Sequence, residues 1–173
     1  FLGAAGTLSP ESKHIRQTFE KILSTIQGLN HEAHACYKQM LLPKLIESGI
    51  QITTWAKLKQ KEKKTFRDYF KSDIFPLLTP LAVDPAHPFP FLSNLSRSLG
   101  ISILDPTKPN HPLFARVKIP ENLPQWLHLE PDPDGPRILL ISILDVIEHH
   151  LPELFPEMQI QKALTFRVTR NID

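Results

Sequence analysis

The stretch FPLLTPLAVDPAHPFPFLSN, residues 75–94, constrains the fold of this chain more than any other segment. Five prolines fall at positions 76, 80, 85, 88 and 90. Each removes a backbone donor, fixes φ near ~−65° and pushes the preceding residue out of the helical region. Neither a helix nor a central strand is expected here, and the segment should run extended. Disordered proline-rich linkers are polar, because a chain that cannot bury apolar surface stays unfolded. This one instead carries Phe75, Leu77, Leu78, Leu81, Val83, Phe89, Phe91 and Leu92. The expectation is an ordered, buried connector.

Its flanks differ in charge and in backbone chemistry. Residues 1–73 hold twelve Lys and Arg against seven Asp and Glu, with two prolines; the rest holds eight against eleven, with fifteen prolines. The organisation expected is a helical part over 1–74, a connector over 75–94, and the first part of a strand-rich domain over 95–173. With 173 residues, 41% hydrophobic and 22% charged, the chain can bury a core. No run of about 18 apolar residues occurs, so no transmembrane segment is expected. Residues 1–6 are apolar but lack a basic leader, and the missing initiator Met points to a fragment. Cys36 is the sole cysteine, which excludes internal disulfides and Cys-rich zinc sites and fits a reducing cytoplasm.

Ser9, Pro10 and Glu11 form a helix start: a capping hydroxyl, a proline where the N–H has no partner, and an acid at the positive end of the dipole. Ile15, Phe19, Ile22, Ile26, Leu29, Ala33, Cys36 or Tyr37, and Met40 then recur every three or four residues. One long helix to about residue 42 is expected, with Gly28 its weak point and Pro43 its kink or end, followed by a turn over 44–47 stopped at Ser48-Gly49. Residues 50–52 read as a short extended link. A second helix over 57–72 presents Leu58, Phe66, Tyr69 and Phe70 on one side and Lys57, Lys61, Lys64 and Lys71 on the other, with Lys59 and Lys63 beside them.

After the connector the period changes to two. RSLGISIL (97–104) and LFARVKIP (113–120) read as a hairpin, QWLHLE (125–130) as a strand, 137–140 as another, 142–151 as a helix ended by Pro152, and 158–169 as a last strand. The fold class is α+β: long antiparallel helices followed by a small mixed α/β head domain with a largely antiparallel sheet.

Little of the tempting chemistry survives inspection. HEAHA (31–35) places its histidines three apart, whereas the zincin pattern needs four, so helix-surface histidines are expected. Cys36 lies on the apolar stripe, where core packing is expected rather than nucleophilic chemistry. His149 and His150 sit near a helix C-terminus, which favours imidazolium. Asp84 and His87 read as turn residues, with an acid–base pair as the alternative. No phosphate-cradling glycine loop occurs, nor any aromatic–basic interleaving of the RNA-recognition kind.

Basic residues carry the remaining hints. Arg116 and Lys118, two apart, share a strand face; Arg167 and Arg170 bracket a strand end. Solvated strand charge is the plain reading, with anion contact or a domain-interface ion pair as the alternative. Lys57, Lys61 and Lys64 likewise read as a solvated face or as an attractor of polyanions.

The connector segment FPLLTPLAVDPAHPFPFLSNLS closely resembles the join between helical and head domains in bacterial polyphosphate kinases of the histidine-phosphorylating type. LLPKLIESGIQITTWAKL and YFKSDIFPLLTPL before it, and FARVKIPENLPQWLHL, FPEM and FRVTRNID after it, extend the resemblance over 7–173. It implies an enzyme that moves the terminal phosphoryl group of ATP reversibly onto polyphosphate through a phosphohistidine, with Mg²⁺. It also implies a homo-oligomer with polyphosphate and ATP as partners, no specific nucleic acid, and a cytoplasmic or membrane-associated setting. The phosphorylated histidine and its arginines lie in C-terminal domains of the family, and a nucleotide-binding asparagine lies upstream. None of His31, His34, His87, His111, His149 or His150 occupies a matching position. The expectation is therefore a noncatalytic portion that positions domains and contributes to dimer contacts, with no catalytic residue or metal ligand and binding neither ATP nor Mg²⁺ itself; the alternative is a stand-alone scaffold or polyanion-binding module without catalysis.

Overall fold

From Pro10 the backbone is helical without interruption to Glu47: α1 (Pro10–Cys36), one π-helical turn (Tyr37–Leu41) and α2 (Leu42–Glu47). The computed structural model describes residues 10–83, 91–108, 111–129 and 138–170. Gly28 is passed without a break, as expected. Pro43 does not end the helix but sits in the first turn of α2, just after the Leu42 N–H has reached back five residues to the Tyr37 carbonyl. Widening to a π turn accommodates the donor that proline lacks. The helix stops at Gly49, whose φ of 80° is left-handed and whose N–H donates to the Ile46 carbonyl at 2.9 Å.

Residues 1–49 form one compact unit and residues 50–173 a second. In the first, the apolar stripe is not a core: Ile15, Phe19, Ile22, Ile26 and Leu29 are all exposed, and so is Cys36. The described residues of this unit form one continuous helix, which has no second surface to close over its own stripe. The expectation of a packed Cys36 is thereby corrected.

The second unit opens with strand β1 (Ile50–Thr53), expected only as a link. It runs parallel to β6 (Ile138–Ser142), Ile50 opposite Ile138, and β6 pairs antiparallel with β5 (Trp126–Leu129). A 3₁₀ turn (Trp55–Lys57) leads to α3 (Gln60–Tyr69), where the Lys59 N–H donates to Glu62 Oε2 at 2.6 Å in the reach-back of a capping box. Because α3 begins at Gln60, Lys57 precedes it and is not on its lysine face.

The proline-rich segment is where structure and expectation part most. A π turn (Phe70–Ile74) leads into it, its first residues form a 3₁₀ turn (Phe75–Leu77) rather than an extended run, and strand β2 (Pro80–Val83) follows. This strand is the edge of a four-stranded antiparallel sheet, order β2-β4-β3-β7, with β3 at Arg97–Leu104, β4 at Pro112–Lys118 and β7 at Gln159–Arg167. Pro80 is tolerated because it is the first residue of a strand that lies at the sheet edge. Nor is the segment uniformly buried: Leu78 and Leu92 are, but Phe75, Leu77, Leu81 and Phe91 are exposed. Residues 84–90, including Asp84, His87 and Phe89, lie outside the described residues. The join expected near residue 74 falls inside the second unit.

Strand alternation sends Leu99, Ile101 and Ile103 of β3 and Ala115 and Val117 of β4 to one face, all at 2% exposure or less. The same core takes Phe66 of α3, Phe70 and Ile74 just beyond it, Leu139 and Ile141 of β6, and Ile143, Val146 and Ile147 of α4 (Ile143–His149). Pro152 does not close this helix; it stands in the first turn of α5 (Leu151–Leu154), where its missing donor costs nothing. The chain is thus α+β, a long helix followed by a mixed region with largely antiparallel sheets. Truncating the fully buried Ile101 to Ala should cost about 2–5 kcal/mol, read as a fall in the urea midpoint with the m-value unchanged.

Candidate anion site beside the edge strand

The register that buries Leu99 and Val117 sends their neighbours to the opposite face. There Arg116 lies opposite Gly100 of β3 and Leu81 of β2, and Lys118 lies opposite Ser98. Gly100 lets the sheet be approached closely: a Cβ at this position would stand 3.1 Å from the Phe114 ring and 3.3 Å from that of Phe166.

Arg116 is 4% exposed, although its charge favours water. Its Nε donates to Ser98 Oγ at 3.0 Å, and Ser98 is itself 1% exposed. Among the described residues the close acid–base contacts are Arg16–Glu20 and His150–Glu153, so no carboxylate neutralises Arg116 there. Burial accordingly lowers the pKa of its guanidinium. A cavity of about 540 Å³ adjoins it, walled by Leu77, Thr79 and Leu81 on the edge-strand side, by Lys118 at the end of β4 and by Glu121 and Asn122 beyond it. A guanidinium largely withdrawn from water beside one neutral hydroxyl, with a lysine two residues along the same face, is suited to meet negative charge.

Of the other basic residues expected to matter, none joins this cavity. Arg167 stands opposite Arg97 at the end of β7 and is exposed. Arg170 stacks its guanidinium 4.4 Å above the Phe91 ring, and its backbone N–H donates to Asn94 Oδ1 at 2.8 Å. Between these contacts Leu95 takes a left-handed φ of 62° and donates to the Val168 carbonyl at 2.8 Å. Arg170 therefore clasps the turn before β3 to the end of β7. Lys57, Lys61 and Lys64 are solvent-exposed. Sequence reasoning missed Ser98 and Gly100; the signal available was a glycine inside a strand pattern.

A second cluster surrounds His149 and His150. Phe70 stacks on His150 at 4.3 Å between ring centroids, Trp55 stacks on His149 at 4.3 Å, and the Trp55 N–H donates to Asp145 Oδ2 at 2.5 Å. His150 Nδ1–H donates to the Val146 carbonyl at 2.8 Å, while its buried Nε2 has no hydrogen-bond partner and lies 3.9 Å from Glu153 Oε1. Desolvation lowers the pKa of both histidines, so the neutral form is held and the imidazolium expected at a helix C-terminus is not. Glu148 next to them is shifted upward by burial, then by Asp145.

Comparison with known proteins assigns the chain. The family described as polyphosphate kinase middle domain matches residues 61–173. The polyphosphate kinase of Synechocystis sp. is 38% identical over 172 residues, covering 96% of this chain and 24% of that protein; that of Streptomyces coelicolor is 40% identical over 167 residues, covering 96% and 21%. The crystal structure of polyphosphate kinase from Porphyromonas gingivalis shares the fold with a TM-score of 0.80 at 23% identity, over 87% of this chain and 25% of that one. This chain belongs to the polyphosphate kinase family. It spans under a quarter of the length of these two curated relatives.

Two outcomes test the electrostatics. Replacing Arg116 by Met in phosphate-free buffer should leave the urea midpoint unchanged or raised, because an uncompensated charge is exchanged for apolar volume; a loss beyond about 2 kcal/mol would contradict it. The depressed histidines make the unfolded chain bind more protons as pH falls below about 6.5, so stability should drop from pH 7 towards pH 5. His150→Leu should flatten that drop in denaturant melts taken at each pH.

Proposed function

We propose that this chain is the domain-positioning portion of a polyphosphate kinase whose phosphoryl transfer, from ATP to polyphosphate and back, runs through a phosphohistidine in other domains. The observation that carries the reading is the 38–40% identity to proteins named polyphosphate kinase over 96% of the chain. In-line transfer needs a nucleophile free to approach the phosphorus and cations to offset charge on its oxygens. His150 does not suit that task, because one nitrogen is bound to a carbonyl and the other is sealed behind Phe70 and Trp55. His149 is stacked on Trp55 and held neutral by desolvation.

In this reading Mg²⁺ and ATP belong to the parent's other domains. What this portion contributes is position. The hydrogen-bonded β2 edge, the Arg170 clasp and the shared core hold its strands in one register, from which neighbouring domains and a second subunit are placed. Arg116, Lys118 and Arg167, with Lys57, Lys61 and Lys64, supply positive charge towards polyphosphate or those domains. In this reading the parent works in the cytoplasm or associated with a membrane; among the described residues no helix is long and apolar enough to cross one.

The test is ATP-dependent synthesis of polyphosphate, with self-phosphorylation, on this chain and on its full-length parent. Activity is expected in the parent alone; phosphate on any histidine of this chain would overturn the assignment. Changing Lys57, Lys61 and Lys64 together to Gln should weaken polyphosphate binding by the parent and flatten its salt dependence. An unchanged salt slope would remove these lysines from the polyanion's path.

A further inference from the structure

We propose that the cavity framed by Arg116 and Lys118 is a binding site for one phosphate-type anion, of orthophosphate or pyrophosphate size. Arg116 is 96% buried, and its one hydrogen bond among the described residues, through Nε to Ser98 Oγ, fixes the guanidinium plane and leaves the terminal nitrogens for a ligand. Lys118 follows two residues later on the same strand face, about 6.6 Å along β4, a separation that a compact polyoxyanion can bridge. Asn122 adds an amide donor and Thr79 a hydroxyl to the walls. Glu121 opposes a long polyanion laid across the rim, which favours a single compact group held by the two cations.

Two features make this a built site rather than a basic surface. The register cannot slip, since moving β4 by one residue would drive Val117 out of the core and Arg116 into it. The rim is stiffened by Pro120 at one end and by hydrogen-bonded β2 at the other, so little ordering is left for binding to impose. That the site is anionic in preference rests on Arg116; the choice of phosphate over carboxylate rests on the polyphosphate kinase reading above.

Calorimetric titration of the full-length parent with pyrophosphate, without ATP or Mg²⁺, tests this. Wild type should take up one more pyrophosphate per protomer than Arg116→Gln, and Lys118→Gln should bind at that site about tenfold more weakly. Equal stoichiometry and affinity in all three would overturn the proposal, as would uptake of citrate in place of pyrophosphate. Should Arg116→Gln fail to fold by circular dichroism, Lys118→Gln decides, and an unaltered affinity there overturns it. Displacement of the bound pyrophosphate by short-chain polyphosphate assigns the site to a chain end, whereas displacement by orthophosphate alone assigns it to free phosphate; either supports the phosphate chemistry. A parent that binds pyrophosphate here yet makes no polyphosphate from ATP would refute the kinase reading and leave the site standing.

Discussion

Everything positioned in the second unit depends on the burial of Phe66, Phe70 and Ile74 against the inner face of the sheets. These three side chains come from α3 and the turn after it, and all are at 2% exposure or less. They share one core with Leu99, Ile101 and Val117 of the four-stranded sheet and with Ile141 and Ile147 of the three-stranded sheet and its helix. Burying a large apolar side chain is worth about 1.5–3 kcal/mol, so these three together are comparable with the whole ~5–15 kcal/mol stability of a typical domain. The lysine-rich helix is therefore part of the sheet domain.

The same burial sets the electrostatics. Because side chains alternate along a strand, committing Ala115 and Val117 to the interior commits Arg116 and Lys118 to the other face. Arg116, bonded to Ser98, then loses most of its water without gaining a carboxylate among the described residues. A comparable logic holds at His150, where Phe70 and Trp55 close over a ring whose second nitrogen finds no partner. Charge and polarity have been subordinated to packing at both places.

The local grammar was legible in the residues. The β3–β4 hairpin, the strands β5, β6 and β7, the start of α1 at Pro10 and the stop after α2 at Gly49 all follow from period-two alternation, proline at a helix start and a left-handed glycine. What was not legible is non-local. Ile50–Thr53 looks like a link until its partner at Ile138–Ile141 is known, and a four-residue run carries no sign of a parallel neighbour so distant in sequence. The apolar stripe of α1 and the phenylalanines around the prolines read as core, since periodicity reports an apolar face without saying what covers it. The burial of Arg116 and His150 was hidden for the converse reason: each is polar in sequence and interior only by tertiary context.

Amide hydrogen exchange followed by mass spectrometry on this chain tests the central claim most directly, namely that α3 is welded to the sheets. Peptides from 60–69 should exchange in the same slow, cooperative class as those from β3, β4 and β6, while peptides from α1 exchange much faster. Exchange of 60–69 in step with α1, with the strands still protected, would contradict it.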